Sequence, residues 1–374
     1  MHRLQFHYSL SKNTSPHNIH QRVRNPLIDL LQAVSNQGSI SAGARQLGLS
    51  YRHVWGELKR WETELGGELL VWEKGQSARL SEFGNKLMWA ERQAQARLAP
   101  QIEALRAELE RSFAVAFDDS SHVVTLYASH DDALSRLRET ALPRLHLDIR
   151  FTGSVDAIRA LNEGRCVMAG FHTLDNVGKN TLTERIYKPL LQPGRHKIIG
   201  FASRTQGLMV APDNPFKLAG LSDLCATAGK TLSAPKIRFA NRALGTGTRV
   251  VLDELLAAAG LNAADIQGYE HTEPSHAAVA HAVLSGQADA GLGIQAAAVQ
   301  AGLGFVPLVK ENYHLVCLKS ALQQPGVAAL QALLHTPHWQ HELAAISGYT
   351  PQNSGEVLSM RKVLPWWDLP QKAI

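Results

Sequence analysis

The sequence predicts an α/β protein in two unequal parts: a small helical N-terminal unit with a β-hairpin, then a larger domain of alternating strands and helices. Three observations predict it. Residues 38–61 read as a helix, a tight turn and a second helix; residues 82–111 carry an apolar repeat of three and four; and short strand–turn–helix units recur from Val123 onward.

In the first pattern Ile40, Ala44 and Leu47 share one helical face. Ser39 or Ser41 serves as N-cap, and Gly48 ends the helix where a left-handed residue costs nothing. Ser50 caps a second helix with Val54, Leu58 and Trp61 inward and Tyr51, Arg52, His53, Lys59 and Arg60 outward. A plain helical hairpin would look similar, but the next residues favour a winged helix-turn-helix. Leu69 to Trp72 form a strand-like run, residues 73–77 turn, and Ala78-Arg79-Leu80 returns as a second strand, with Lys74 and Arg79 facing phosphates. Charge agrees: residues 1–60 hold 8 Lys+Arg against 2 Asp+Glu, whereas residues 61–112 hold 7 against 9 and the whole chain is only +5. The expected DNA contacts are Ser39, Ser50, Tyr51, Arg52, His53, Lys59, Arg60, Lys74 and Arg79.

Residues 26–87 resemble the N-terminal winged helix of molybdate-responsive, ModE-type regulators, which are similar to LysR-type DNA-binding domains. The resemblance rests on Gly38-Ser39-Ile40-Ser41, Ala44, Gly48-Leu49-Ser50-Tyr51-Arg52, Trp55, Leu69-Leu70-Val71 and Leu80-Ser81-Glu82-Phe83-Gly84. The Ser-Tyr-basic-x-x-Trp string is its most specific part. The wing departs from it, being a short turn where the molybdate-type regulators carry a longer glycine-rich loop.

Over residues 82–111, Phe83, Leu87, Ala90, Ala94, Leu98, Ile102, Leu105 and Leu109 form an apolar stripe, with Pro100 expected to kink or interrupt the helix. The LysR-like resemblance implies that this stripe packs on the same helix of a second subunit, giving a homodimer or a dimer of dimers; packing within its own domain is the alternative. The chain thus divides into a flexible, His-rich arm (1–24), the winged helix-turn-helix (25–81), a dimerisation helix (82–111), a linker (112–122) and an effector-binding domain (123–374). The arm lacks the apolar core of a signal peptide, and no apolar run of membrane-spanning length occurs, so a cytoplasmic protein without membrane contact is expected. Cys166, Cys225 and Cys317 are odd in number and far apart, fitting reduced core residues. No metal-ligand cluster is expected.

The larger domain repeats one chemical design. Strands at 123–128, 149–152, 239–244 and 269–273 each lead through a turn into a helix, at 133–140, 155–162, 249–259 and 277–284. Each junction carries a hydroxyl, usually beside a glycine or histidine: Ser129, Ser154, Thr246 and Thr248, and Ser275. The first turn of a helix has unpaired N–H groups and a partial positive charge, so several such ends converging on one cleft would suit a small anion. Arg242 and Arg249 are placed to neutralise it. Each hydroxyl could equally be a structural cap, and each arginine a surface ion pair.

Residues 123–318 resemble the periplasmic-binding-protein-like (PBP-like) domain related to molybdate-binding proteins. The matching strings include Ala128-Ser129-His130-Asp131, Gly153-Ser154, Ala169-Gly170-Phe171-His172, residues 241–249 (NRALGTGTR), residues 275–280 (SHAAVA) and residues 286–293 (GQADAGLG). The resemblance implies two α/β lobes hinged by crossing strands, with Ser129, Ser154, His172, Arg242, Thr246, Thr248, Arg249 and His276 lining the cleft; Ser275 joins them as the hydroxyl beside His276. Asp289 would repel an anion, and is read as a hinge or helix-capping group. The helices at 327–334 and 339–346 are expected to pack on one lobe, and Trp366-Trp367 to cover an apolar patch.

Two functions follow. One is a one-component transcription regulator that binds double-stranded DNA and senses a small oxyanion, with molybdate or tungstate first and formate or another small anion second; it needs no cofactor and is no enzyme. The other is an enzyme or cofactor-metabolism protein using the cleft, with the winged helix as an interaction module. The sequence shows no nucleophile–base–orienter set and no phosphate loop, which favours the regulator.

Overall fold

The computed structural model describes residues 25–72, 78–117, 122–142, 145–175, 178–225 and 236–367. The N-terminal arm and its histidines, and the wing tip with Lys74, lie outside them. Two compact units meet in sequence at Ala99 and Pro100.

The first unit opens with helix α1 (Pro26–Gln37), an element the sequence reading did not resolve. Asn25 caps it, Pro26 sits where its missing N–H costs no hydrogen bond, and Gly38 ends it. Helices α2 (Ile40–Gln46) and α3 (Tyr51–Leu65) follow, capped by Ser39 and Ser50, which accept from the Ala42 and His53 amides. Gly48 turns the chain between them at φ 68°, a conformation side chains rarely adopt. Strands β1 (Leu70–Val71) and β2 (Arg79–Leu80) pair antiparallel, with Leu70 opposite Leu80, forming the wing. Leu27, Leu31, Val34, Ile40, Ala44, Val54, Leu58, Leu69, Leu70 and Met88 close one core around these elements.

Helix α4 (Glu82–Phe117) runs unbroken through Pro100, so the expected interruption does not occur, and it extends six residues past the predicted end. One proline removes a single N–H and crowds the carbonyl four residues earlier. A helix with 36 residues keeps its other hydrogen bonds on both sides, and the division between the two units falls at that proline.

The second unit is a mixed sheet with helices on both faces. In chain order it holds β3 (His122–Ala128), α5 (Asp132–Ala141), β4 (Leu145–Phe151), α6 (Ser154–Asn162), β5 (Met168–Leu174), α7 (Leu182–Tyr187), β6 (His196–Val210), β7 (Phe239–Arg242) and α8 (Gly247–Ala258). Then come β8 (Thr272–Glu273), α9 (His276–Leu284), β9 (Ala290–Ile294), α10 (Gln295–Gln300), β10 (Gly304–Leu318), α11 (Pro325–His335), α12 (Pro337–Ala344) and β11 (Tyr349–Thr350). The strand order is β4-β3-β5-β10-β6-β9-β7-β8, with β11 also on β6. Parallel β3, β4 and β5 make the first lobe, and parallel β7, β8 and β9 the second. Strands β6 and β10, 15 residues each, pair antiparallel throughout; at roughly 3.3 Å per residue each is long enough to serve both lobes. Accordingly β10 pairs β5 through Glu311 to Cys317, while β6 pairs β9 through Gln206 to Val210.

Helix α6 covers one face of the first lobe with Ala157, Ile158 and Leu161 against Phe171 and Ile198, and Trp366 closes that core. Helices α5, α11 and α12 cover the other face, where Trp339 packs on Phe201. The three cysteines are free and buried. Asp289 neither caps a helix nor sits at the crossing strands. Its carboxylate grips Arg238 (Oδ1 to Nη2 2.6 Å, Oδ2 to the backbone amide 2.8 Å), pinning the residues that enter β9 and β7. A carboxylate accepts both a guanidinium and an amide there, which a cap would not need.

Candidate functional site

On the winged unit, Tyr51, Arg52 and His53 occupy the exposed first turn of α3, and Arg79 is exposed on β2. Ser39 and Ser50 are used as caps. Lys59 and Arg60 are already engaged: Lys59 reaches Glu62 at 2.6 Å, and Arg60 reaches Glu57 at 2.7 Å and lies over the Trp61 ring. The structure therefore gathers the uncommitted groups at the N-terminal end of α3, where a helix entering the major groove meets base edges.

In the second unit the residues that follow β3 and β7 reach the crossing strands: Asp131 meets Arg204 and Thr248 meets Gln206. Only two of the expected hydroxyl caps occur: Thr246 caps α8 and Ser275 caps α9. Helix α5 is capped by Asp131, leaving Ser129 upstream, and α6 by Gly153, with Ser154 as its first residue. Ser129 and Ser154 are thus freed from capping and buried, at 6% and 0% exposure. Ser154 Oγ lies 3.4 Å from His172 Nδ1, and Thr248 Oγ1 lies 3.5 Å from His276 Nε2.

Arg242, at the end of β7, is 1% exposed, and its Nε and Nη1 have no hydrogen-bond partner. Ser129 Oγ, His172 Nε2, His276 Nδ1 and Tyr313 OH are likewise buried without a partner. Such groups cost free energy unless an acceptor or water meets them. Burial, then the nearby Arg204 guanidinium, pulls the Arg242 guanidinium down to about 9, and Glu273 opposes this only in part. Burial, with Arg204 and Arg242 as neighbours, also holds His172 and His276 well below the usual imidazole range, so both are neutral. Arg249 is placed differently. Its Nε contacts Asp253 at 3.2 Å and its guanidinium lies 4.0 Å over the Tyr269 ring, but its Nη1 is buried without a partner, so it is only partly engaged.

Sequence reasoning missed the crossing strands' contribution. Arg204 on β6 bridges Glu311 on β10, at 2.5 Å, and Asp131, whose other oxygen caps α5; Tyr349 OH reaches Asp131 at 2.6 Å. Gln206 donates to Glu311 at 2.7 Å and to Thr248 at 3.1 Å. This network fixes the hinge strands to both lobes. The available signal was Arg204 and Gln206, two polar residues at alternate positions inside a buried strand.

The lobes also touch. A Cβ on Gly153 would lie 2.7 Å from the Gly245 carbonyl oxygen, and one on Gly247 would lie 2.6 Å from His172 Nδ1. Only glycine permits these approaches, so the starts of α6 and α8 meet across the cleft.

The histidines make stability depend on pH. His172, His276, His196 and His314 are all lowered by burial, His314 to about 4. A group with a lowered folded value leaves the unfolded chain holding more protons, so stability falls as pH drops below the unfolded value near 6.5, by up to about 1.4 kcal/mol per pH unit for each imidazole. Glu311, raised by burial, works in the opposite sense above about 4.5, the ordinary carboxyl value, and offsets part of the fall. The melting temperature of the protein should therefore fall between pH 6.5 and 5; a flat profile in thermal denaturation would contradict neutral burial of these rings.

Comparison with known proteins fits this architecture. Residues 27–85 match the family described as "Bacterial regulatory helix-turn-helix protein, lysR family", and residues 135–335 match the PBP superfamily domain. The chain is 32% identical over 227 residues to YvgK of Bacillus subtilis (strain 168), an uncharacterised protein, covering 61% of this chain and 70% of that one. It is 31% identical over 111 residues to an uncharacterised protein in the ferredoxin 2Fe-2S gene 5' region of Clostridium pasteurianum, covering 29% and 98%. Among solved structures, CbnR, a LysR family transcriptional regulator, aligns with TM-score 0.38 and 18% identity over 81% of this chain and 96% of that one. A phosphate-bound putative phosphate ABC transporter substrate-binding protein from Clostridium perfringens aligns with TM-score 0.46 and 16% identity, covering 61% and 99%. A LysR-family helix-turn-helix ahead of a two-lobed α/β domain defines a LysR-type DNA-binding transcriptional regulator with a ligand-binding domain. The chain belongs to the PBP superfamily through that larger domain.

Proposed function

We propose that this regulator is a one-component sensor of a small oxyanion, with molybdate or tungstate as first candidates and formate or another small anion as the next. The observation that carries this reading is Arg242: a buried guanidinium with two unpaired N–H positions, among neutral imidazoles and unpartnered hydroxyls. Neutral donors around one cation suit a compact acceptor-only ligand. Ser129, Ser154, His172, Arg242, Thr248 and His276 form the contact set; Thr246 and Ser275 cap α8 and α9, and Arg249, held by Asp253 and Tyr269, keeps one buried unpartnered nitrogen.

DNA is read by Tyr51, Arg52 and His53, with Arg79, and with Lys74 on the wing tip. The winged helix-turn-helix is kept at 25–81 and the effector-binding domain from 123, with the helix between them running from Glu82 past 111 to Phe117, into the segment expected as a linker. Two copies pair through α4, whose Leu98 and Leu105 are 42% and 58% exposed, giving the two reading heads that paired half-sites need. Among the described residues no helix is long and apolar enough to cross a membrane, and no group of His, Cys, Asp and Glu could hold a metal. Effector binding acts by favouring one arrangement of the hinged lobes over another.

Isothermal titration and thermal melting of the full chain with molybdate, tungstate, sulfate, phosphate and formate test this. At a hundredfold excess over Kd the bound form gains about 2.7 kcal/mol, a shift of several degrees. No heat and no shift with any of the five would overturn the anion reading.

A further inference from the structure

Lys59 was expected to face DNA, yet its surroundings give it another task. Tyr51, Trp55, Lys59 and Glu62 fall at steps of four, four and three along α3, and so share one stripe. The Tyr51 and Trp55 rings stack at 6.5 Å and 8°. Trp72, the residue after β1, meets Trp55 edge-on at 5.4 Å. The Lys59 ammonium lies 5.0 Å from the Trp55 ring and 5.1 Å from the Trp72 ring, and 2.6 Å from Glu62 Oε2. The other oxygen, Glu62 Oε1, accepts the Leu69 amide at 2.8 Å and the Leu70 amide at 3.2 Å, where the wing begins. Partial burial works against the charged form of Glu62, but Lys59 and these two amides hold its carboxyl below the usual range.

We propose that Lys59 is a positioning residue, not a phosphate contact: clamped between Trp55 of the recognition helix and Trp72 of the wing and paired with Glu62, it fixes the angle between helix and wing. Arg79 on β2 is thereby held at a set distance from Tyr51, Arg52 and His53, so the two groups reach one duplex together. The inference rests on the winged unit being the DNA reader. A cation over two indole faces gains from both quadrupoles, and its carboxylate partner holds the strand backbone, so one side chain serves both sides of the joint.

The test uses the full chain and a duplex selected by it from a random pool, with affinity measured by fluorescence anisotropy across a salt series. Each phosphate contact contributes about 0.9 to the slope of log K against log salt. Lys59→Met should weaken binding about five- to tenfold with the wild-type slope retained, whereas Arg79→Ala should lower the slope. Trp72→Leu, which leaves every charge in place, should weaken binding to the same degree, and the double variant should be no worse than either single one. Lys59→Arg should restore affinity. A slope reduced by about one unit in Lys59→Met, or full additivity with Trp72→Leu, would overturn the proposal. Fluorine NMR of 5-fluorotryptophan protein reads the joint without DNA, with Trp55 and Trp72 assigned by their Phe variants. Both resonances should move in Lys59→Met, and unmoved resonances would reject the clamp whatever the fate of the DNA reading.

Discussion

Replacing Arg242 with methionine is expected to abolish the response to the anion effector, with a loss of about a hundredfold or more in affinity, while the ligand-free protein stays folded. Two of its donor atoms are buried and unmet, so they give the empty protein little and the occupied protein much. Removing one side of a buried charge-assisted contact typically costs about 2–5 kcal/mol, whereas the ligand-free protein loses a guanidinium whose charged form burial already disfavours. The checks are the melting temperature with and without anion, and a titration. Wild-type melting shifts in Arg242→Met would remove the guanidinium from the site. Arg249→Met is the natural comparison. Its guanidinium is held by Asp253 and Tyr269 and has one unpartnered nitrogen against two in Arg242, so its loss should cost less, about tenfold, and show as lowered stability.

The second large effect belongs to the recognition helix. Arg52→Ala should weaken binding of a selected duplex by about 1–3 kcal/mol, roughly five- to 150-fold, and relax preference at one base position. Tyr51→Ala should act similarly through lost contact area. Both side chains are exposed on the first turn of α3, so thermal stability should hold within a degree or two. Arg60→Ala should do less, because that guanidinium is shared with Glu57 and Glu64. Competition binding against single-base variants of the duplex separates these outcomes; equal binding by Arg52→Ala and wild type would mean that another surface reads the DNA.

What could be read from the sequence was local. The helix-turn-helix was legible because Ile40, Ala44, Val54 and Leu58 repeat at the helical period and Ser39, Ser50 and Gly48 punctuate it, and the structure buries or turns each as expected. The lobes were legible through repeated strand–turn–helix units. Capping chemistry was less so, because Asp131 competes with Ser129, two residues apart, and a carboxylate wins where the backbone suits it. Pro100 misled because a local penalty is small beside the bonds of a long helix. The Arg204–Glu311–Asp131 network was out of reach. Its members lie 107 and 73 residues apart, joined only by the register of β6 against β10 and by a turn at the end of β3, and no short-range pattern encodes either.

The glycine contact between Gly153 and Gly245 has a consequence for timing. Arg242 is 1% exposed and the starts of α6 and α8 are at contact distance, so on the proposed reading the effector reaches the guanidinium only when the lobes part. Motions of that kind take microseconds to milliseconds. Capture therefore saturates with rising concentration at the opening rate, and release is set by the same step. A regulator built this way averages over brief swings in supply and reports their mean, because its clock belongs to the protein and not to the ion.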